Sequence, residues 1–236
     1  MKACVAAIVA IVAAAAGAAE PAGEPAAVKT VRLELPADAS PVARHLATVF
    51  ARQVASRCDA KVVTEGEAPL VVTLATAADV GAEGYRIEDR PGGGTRIVGH
   101  DDRGLVAGVV KFLRTSRYDR GGFTPGTWRG TSVPTKPNRG IYFATHFFNY
   151  YHSAPVPEIE RYVEDLALWG TNELLVWYDM HHFNGLDDPA AVAFRDRLRS
   201  ILRTAKRIGM DVSLVVIAND AYANSPAELR AAGRGR

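Results

Sequence analysis

Histidine, aspartate, amide and aromatic side chains gather in three short stretches of this sequence. His146, Asn149, Tyr150, Tyr151 and His152 form the first stretch. Trp177, Tyr178, Asp179, His181 and His182 form the second, and Asn219, Asp220 and Tyr222 the third. Aromatic rings beside amides and carboxylates suit sugar recognition. The rings cover the apolar side of a pyranose while polar groups take its hydroxyls. On this reading the candidate substrate-binding residues are His146, Asn149, Trp177, Asp179, His181, Asn219 and Asp220, and no catalytic residue is assigned. The competing reading makes Trp177, Tyr150 and Tyr151 packing residues at the rim of a fold.

Two further chemistries use the same side chains. Asp179 and Asp220 offer a carboxylate pair, and glycoside cleavage needs two such groups about 5–10 Å apart across the bond. The simpler alternative is that each binds sugar or caps a loop. Asp179 with His181, His182 and His146 offers metal ligands. Adjacent histidines in a strand point to opposite sides, however, and no His-Glu-x-x-His spacing occurs. No metal and no cofactor is therefore expected. Gly92-Gly93-Gly94 is not a phosphate loop, because no Lys-Ser/Thr follows it.

The elements that carry these stretches follow a parallel rhythm. Arg139–Thr145 reads as a strand and Pro157–Trp169 as an amphipathic helix stopped by Gly170. Glu173–Trp177 is a nearly continuous apolar strand. Asp188-Pro189 opens a helix that ends at Gly209, and Val212–Ala218 is a third apolar strand. One strand and one helix per roughly 30–40 residues is the spacing of βα units. Each candidate stretch then lies at a strand's C-terminal end, where barrels place their chemistry. A closed barrel takes eight strands in about 250 residues. About three strands and two helices are present in 139–236, an incomplete (β/α)8 TIM barrel with inward faces expected at Ile141, Phe143, Leu175, Val215 and Ile217.

Ahead of it the pattern differs. Val28–Leu35 alternates apolar and polar residues, so it is a half-buried strand. Ser40-Pro41 starts a helix, and strands follow at Lys61–Thr64 and Leu70–Ala75. Tyr85–Glu88 and Thr95–Gly99 flank Pro91-Gly92-Gly93-Gly94 as a hairpin. Asp101 and Asp102 suit the N-terminus of a helix over Arg103–Leu113. The fold class is thus α/β, with a small α/β domain over 28–118 that is expected to fold alone. A Gly- and Pro-containing linker over 119–138 separates it from the barrel segment.

Composition narrows the partners. Apolar residues make up 48% and charged residues 23%, enough to build a core, and the net charge of +2 gives no ground for nucleic-acid binding. Lys2 is the only charge before Glu20, Ala3–Ala16 is apolar and Ala16-Gly17-Ala18-Ala19 is small. This is the pattern of a secretory signal over 1–19. The run is short and Ala-rich for a spanning helix of about 20 residues. The protein is expected to be secreted or periplasmic, with no stable membrane anchor after cleavage. Cys4 lies in the signal, which leaves Cys58 and no disulfide framework.

The stretch from Gly84-Tyr85-Arg86-Ile87-Glu88 through Ile97-Val98-Gly99-His100-Asp101-Asp102-Arg103-Gly104-Leu105 to Phe112-Leu113 resembles the accessory domain of family-20 beta-hexosaminidases and alpha-glucuronidases. Arg139-Gly140-Ile141-Tyr142-Phe143 stands where those enzymes carry the Arg-Gly pair that opens the first barrel strand. The resemblance implies the N-terminal portion of an exported glycoside hydrolase acting on polysaccharide or glycan. The family's catalytic Asp-Glu pair belongs to a fourth strand, which this sequence does not reach. Phe143-Ala144-Thr145-His146 supplies neither the acid nor the arginine of the family's first strand. The chain is therefore expected to be inactive alone. The alternative is a secreted, non-catalytic carbohydrate-binding protein or a remnant.

Overall fold

The structure, a computed structural model, describes residues 25–230. The signal-peptide expectation over 1–19 lies outside the described residues. The N-terminal unit contains β1 (Thr30–Glu34), α1 (Pro41–Ala55), β2 (Lys61–Val63), β3 (Leu70–Thr76), β4 (Tyr85–Asp89), β5 (Thr95–Gly99) and α2 (Asp102–Thr115). β6 (Arg117–Asp119), β7 (Gly122–Thr124) and β8 (Gly130–Ser132) complete it. Its sheet has the order β2-β1-β3-β5-β4-β8. β2, β1, β3 and β5 run parallel, while β4 is antiparallel to both β5 and β8.

Local chemistry accounts for the element boundaries. Ser40 caps α1 by accepting from the Ala43 amide at 3.0 Å, and Pro41 occupies the first turn, where no amide is needed. Asp101 caps α2 by accepting from the Gly104 amide at 2.8 Å. The β4–β5 hairpin turns through three glycines at positive φ. At Gly94 a side chain would also strike the Val71 carbonyl, 2.2 Å from an added Cβ. The alternation along β1 sends Val31 and Leu33 into the core, while Arg32 and Glu34 pair on the opposite face.

The stretch 119–138, expected as a linker, does structural work for the N-terminal unit. β7 pairs with β6, β8 adds the sixth strand against β4, and Phe123 is fully buried. Its ring lies 6.5 Å from Phe50, 5.9 Å from Phe112 and 5.4 Å from Tyr118. The strand pairing of the N-terminal sheet therefore continues to Ser132, past residue 118. Three-residue strands rich in glycine carry no readable periodicity, so only their long-range partners reveal them.

The second unit contains β9 (Gly140–Phe143), α3 (Tyr150–Ser153), α4 (Val156–Leu168), β10 (Glu173–Trp177), α5 (Pro189–Arg207) and β11 (Asp211–Val215). Its three strands form a parallel sheet in the order β11-β10-β9. Leu174 and Val176 are fully buried, and Phe143 stacks on Tyr151 and on Tyr162 of α4, at 4.3 and 5.8 Å. Register places Ile141 and Phe143 beside Leu174 and Val176, on the helix side. That corrects the expectation that Ile141 and Phe143 face inward with Leu175 and Val215. Leu175 lies in register with Tyr142, and Trp177 with Val215, on the other face. Ile217 lies beyond the end of β11.

The two units are joined along their helices by charge as well as apolar packing. Glu164 of α4 is buried and accepts from Arg52 and, at 2.8 Å, from His45, both on α1. Gln53 donates to Asp165 at 3.0 Å. Glu83 accepts from Arg103 of α2 at 3.0 Å, from Arg139 ahead of β9, and from Asn172 ahead of β10. Among the described residues no helix is long and apolar enough to cross a membrane. Cys58 is a half-buried free thiol.

Candidate functional site

The site forms at the C-terminal ends of β9 and β10. Trp177 ends β10 and Phe143 ends β9. Thr145, almost fully buried, fixes the two ends together: its hydroxyl donates to the Trp177 carbonyl and accepts from the Trp177 amide at 2.9 Å. This places His146 over Trp177, with ring centroids 5.3 Å apart and planes 17° from parallel. Tyr142 meets the edge of Trp177 at 6.1 Å, and its hydroxyl lies 3.2 Å from His146 Nε2. Phe147 covers His146 with a centroid separation of 4.0 Å. Phe147, His146, Trp177 and Tyr142 thus form a continuous aromatic column.

Asp179 sits at the foot of this column. It is buried, its Oδ1 accepts from the Trp177 indole nitrogen, and its Oδ2 lies 3.8 Å from both His146 Nδ1 and His182 Nε2. Burial and the negative charge of Asp179 both push the Tyr142 hydroxyl above its ordinary pKa, so it is a neutral donor at physiological pH. Burial, with the Arg197 guanidinium and the two nearby imidazoles of His182 and His146, pulls His152 down and favours its neutral form.

The remaining candidate residues divide by what they touch. His181 donates its amide to Asp220 at 3.1 Å and places Nδ1 2.9 Å from the same oxygen. Asp220 Oδ1 also accepts from the Ala221 amide, and Oδ2 from the Met180 amide at 2.6 Å. Both oxygens of Asp220 are therefore engaged in holding the turn Met180–His182, and the loop-capping alternative describes it. Asn149 accepts from the His152 amide at 3.2 Å and donates to the Ala144 carbonyl at 2.7 Å, so it caps α3. Asn219 is exposed. Tyr151 packs on Phe143 and belongs to the core side.

Two positions that sequence reasoning passed over stand out. Phe147 and Phe148 are 78% and 79% exposed and hold φ of 57° and 54°. Bulky residues rarely adopt the left-handed region, and such strain gathers at binding sites. The readable signal was two consecutive phenylalanines in the loop that follows a strand. The turn Met180–His182 is a second difference. It is a single 3-10 turn, not extended strand, and brings the rings of His181 and His182 to 4.3 Å. The alternation that would send adjacent histidines to opposite sides does not operate there.

No family model and no curated protein sequence matches this chain. Solved structures do match its fold. The family-20 beta-N-acetylhexosaminidase of Streptomyces coelicolor A3(2) superposes with a TM-score of 0.60 at 20% identity, covering 84% of this chain and 44% of that one. The family-20 chitobiase of Flavobacterium johnsoniae gives 0.62 at 16% identity, over 83% and 32%. A family-138 glycoside hydrolase that targets pectin rhamnogalacturonan II gives 0.57 at 13% identity, over 80% and 31%. The chain spans less than half the length of each.

Proposed function

We propose that the column above Asp179 is a carbohydrate subsite in the N-terminal portion of an exported glycoside hydrolase. The type is hexosaminidase or alpha-glucuronidase, acting on polysaccharide or glycan. The observation that carries this reading is the placement of exposed Phe147, half-buried Trp177 and the buried Asp179 carboxylate together at the C-terminal ends of parallel strands. Aromatic faces with one oriented acid recognise a sugar ring. The order β9-α3-α4-β10-α5-β11, with α4 and α5 following β9 and β10, supports reading this unit as three strands of a (β/α)8 barrel. Fold likeness to hexosaminidases supports the same class.

Cleavage needs a second carboxyl group across the bond. Asp220 is committed to three amides and one imidazole, which leaves Asp179 as the freer of the two candidate acids. That observation favours the second reading, a carbohydrate-binding module without catalysis, for the chain by itself. Purified chain assayed on aryl N-acetylhexosaminides and aryl glucuronides is expected to show no turnover above the background of an Asp179→Asn variant. Robust turnover abolished by Asp179→Asn would overturn this.

Export belongs to the same proposal. Cleavage after Ala18 or Ala19 is the expected outcome in a secreting host. N-terminal sequencing of the exported protein checks it, and an intact Met1 on cytoplasmic protein would contradict it.

A further inference from the structure

We infer that Asp179, His181 and His182 form a binding site for a borderline divalent cation of the Zn²⁺ class. One ligand atom from each residue lies within 4.8 Å of the others, and His182 Nε2 is 3.8 Å from Asp179 Oδ2. Tetrahedral Zn²⁺ with bonds near 2.0–2.1 Å holds its ligands about 3.3–3.5 Å apart. The observed separations therefore close by small side-chain rotations. Two imidazoles and one carboxylate select Zn²⁺ or a similar transition metal over Mg²⁺ and Ca²⁺, which prefer all-oxygen shells.

The surroundings resemble those of a built metal site. His181 Nδ1 lies 2.9 Å from the Asp220 carboxylate, which is itself locked by the Met180, His181 and Ala221 amides. A carboxylate that orients a histidine through one nitrogen leaves the other for the metal and raises its basicity. The Trp177 indole plays the same orienting part for Asp179 by donating to Oδ1 while Oδ2 faces His182. Three protein ligands leave a fourth position for water or a sugar hydroxyl beside the aromatic column. His146 stands 3.8 Å from Asp179 Oδ2 and lies outside the three-residue group. The inference stands on these distances and is independent of whether a sugar binds.

Isothermal titration of metal-free full chain with ZnCl2, without saccharide, tests it. One Zn²⁺ per chain is expected to bind, with a rise in Tm, and Mg²⁺ at the same concentration is expected to do neither. His182 is half-exposed, so His182→Ala should fold normally and weaken Zn²⁺ binding at least tenfold. Asp220→Asn is expected to weaken it about 10–100-fold through His181. His100→Ala, in the N-terminal unit, serves as the control and should leave binding unchanged. Absence of Zn²⁺ binding by the parent chain, or binding that His182→Ala does not alter, would overturn the inference. Such failure leaves the saccharide reading untouched, because that is measured without metal.

Discussion

Phe123→Ala is expected to lower the unfolding free energy of this chain by about 3–5 kcal/mol, the range for truncating a fully buried phenylalanine. Phe123 is completely excluded from solvent and is the meeting point of Phe50, Phe112 and Tyr118. Removing the ring deletes its transfer free energy and leaves a cavity that three rigid neighbours cannot collapse into. A chain cut after Tyr118 removes the same ring together with β7 and β8. Its melt is expected to be less cooperative than that of a chain extended to Ser132. Equilibrium urea unfolding of Phe123→Ala beside the parent measures the first effect. A loss under about 1 kcal/mol would place Phe123 outside the cooperative core.

Glu83→Ala is the second large effect, expected at about 2–3 kcal/mol. Its carboxylate joins Arg103 of the N-terminal unit to Arg139 and Asn172 of the second. Removing one member of a buried charge cluster strands the others, at about 3–5 kcal/mol for full burial. Both arginines are about 30% exposed and regain some hydration, which sets the lower figure. Burial alone would raise the Glu83 pKa. The hydrogen bonds from Arg139, Arg103 and Asn172 outweigh it and hold the group below the ordinary carboxylate range. Glu164 follows the same pattern, with burial outweighed by His45 and Arg52. A depressed folded pKa gives stability that is present above the unfolded value and lost as pH falls through the folded one. The joint is therefore expected to weaken below about pH 4.5, the ordinary glutamate value. Glu83→Ala should flatten that acid limb. Unchanged acid sensitivity would mean that Glu83 does not couple the units.

Much of this arrangement was legible because local signals and tertiary needs agreed. Ser40-Pro41 and Asp188-Pro189 open helices where capping chemistry demands, and Pro91 with three glycines turns the β4–β5 hairpin. β10 occupies Glu173–Trp177, the bounds its apolar run marked. The losses came where partners are distant. β7 and β8 are three residues each and exist only through pairing, so composition read them as a linker. Face assignment along β9 depended on register with β10, which a short strand does not encode. At the candidate site, residue type grouped His146, Trp177 and Asp179, which the structure brings into contact, but not how they touch. Nothing in the spacing of Asp220 announced that its oxygens would be consumed by the Met180–His182 turn. The left-handed backbone at Phe147 and Phe148 is likewise a tertiary outcome, since phenylalanine has no preference for it.

The most direct test of a carbohydrate subsite is calorimetric titration of the purified chain, in chelator, with N-acetylglucosamine and glucuronic acid oligosaccharides. Saturable binding to one of the two series is expected, weakened roughly tenfold or more, about 1.4 kcal/mol, by Phe147→Ala. That ring is 78% exposed, so its loss should leave the melting temperature unchanged and isolate recognition from folding. Binding that Phe147→Ala and Trp177→Ala both leave intact, or no binding to either series, would contradict the assignment of this rim to sugar recognition.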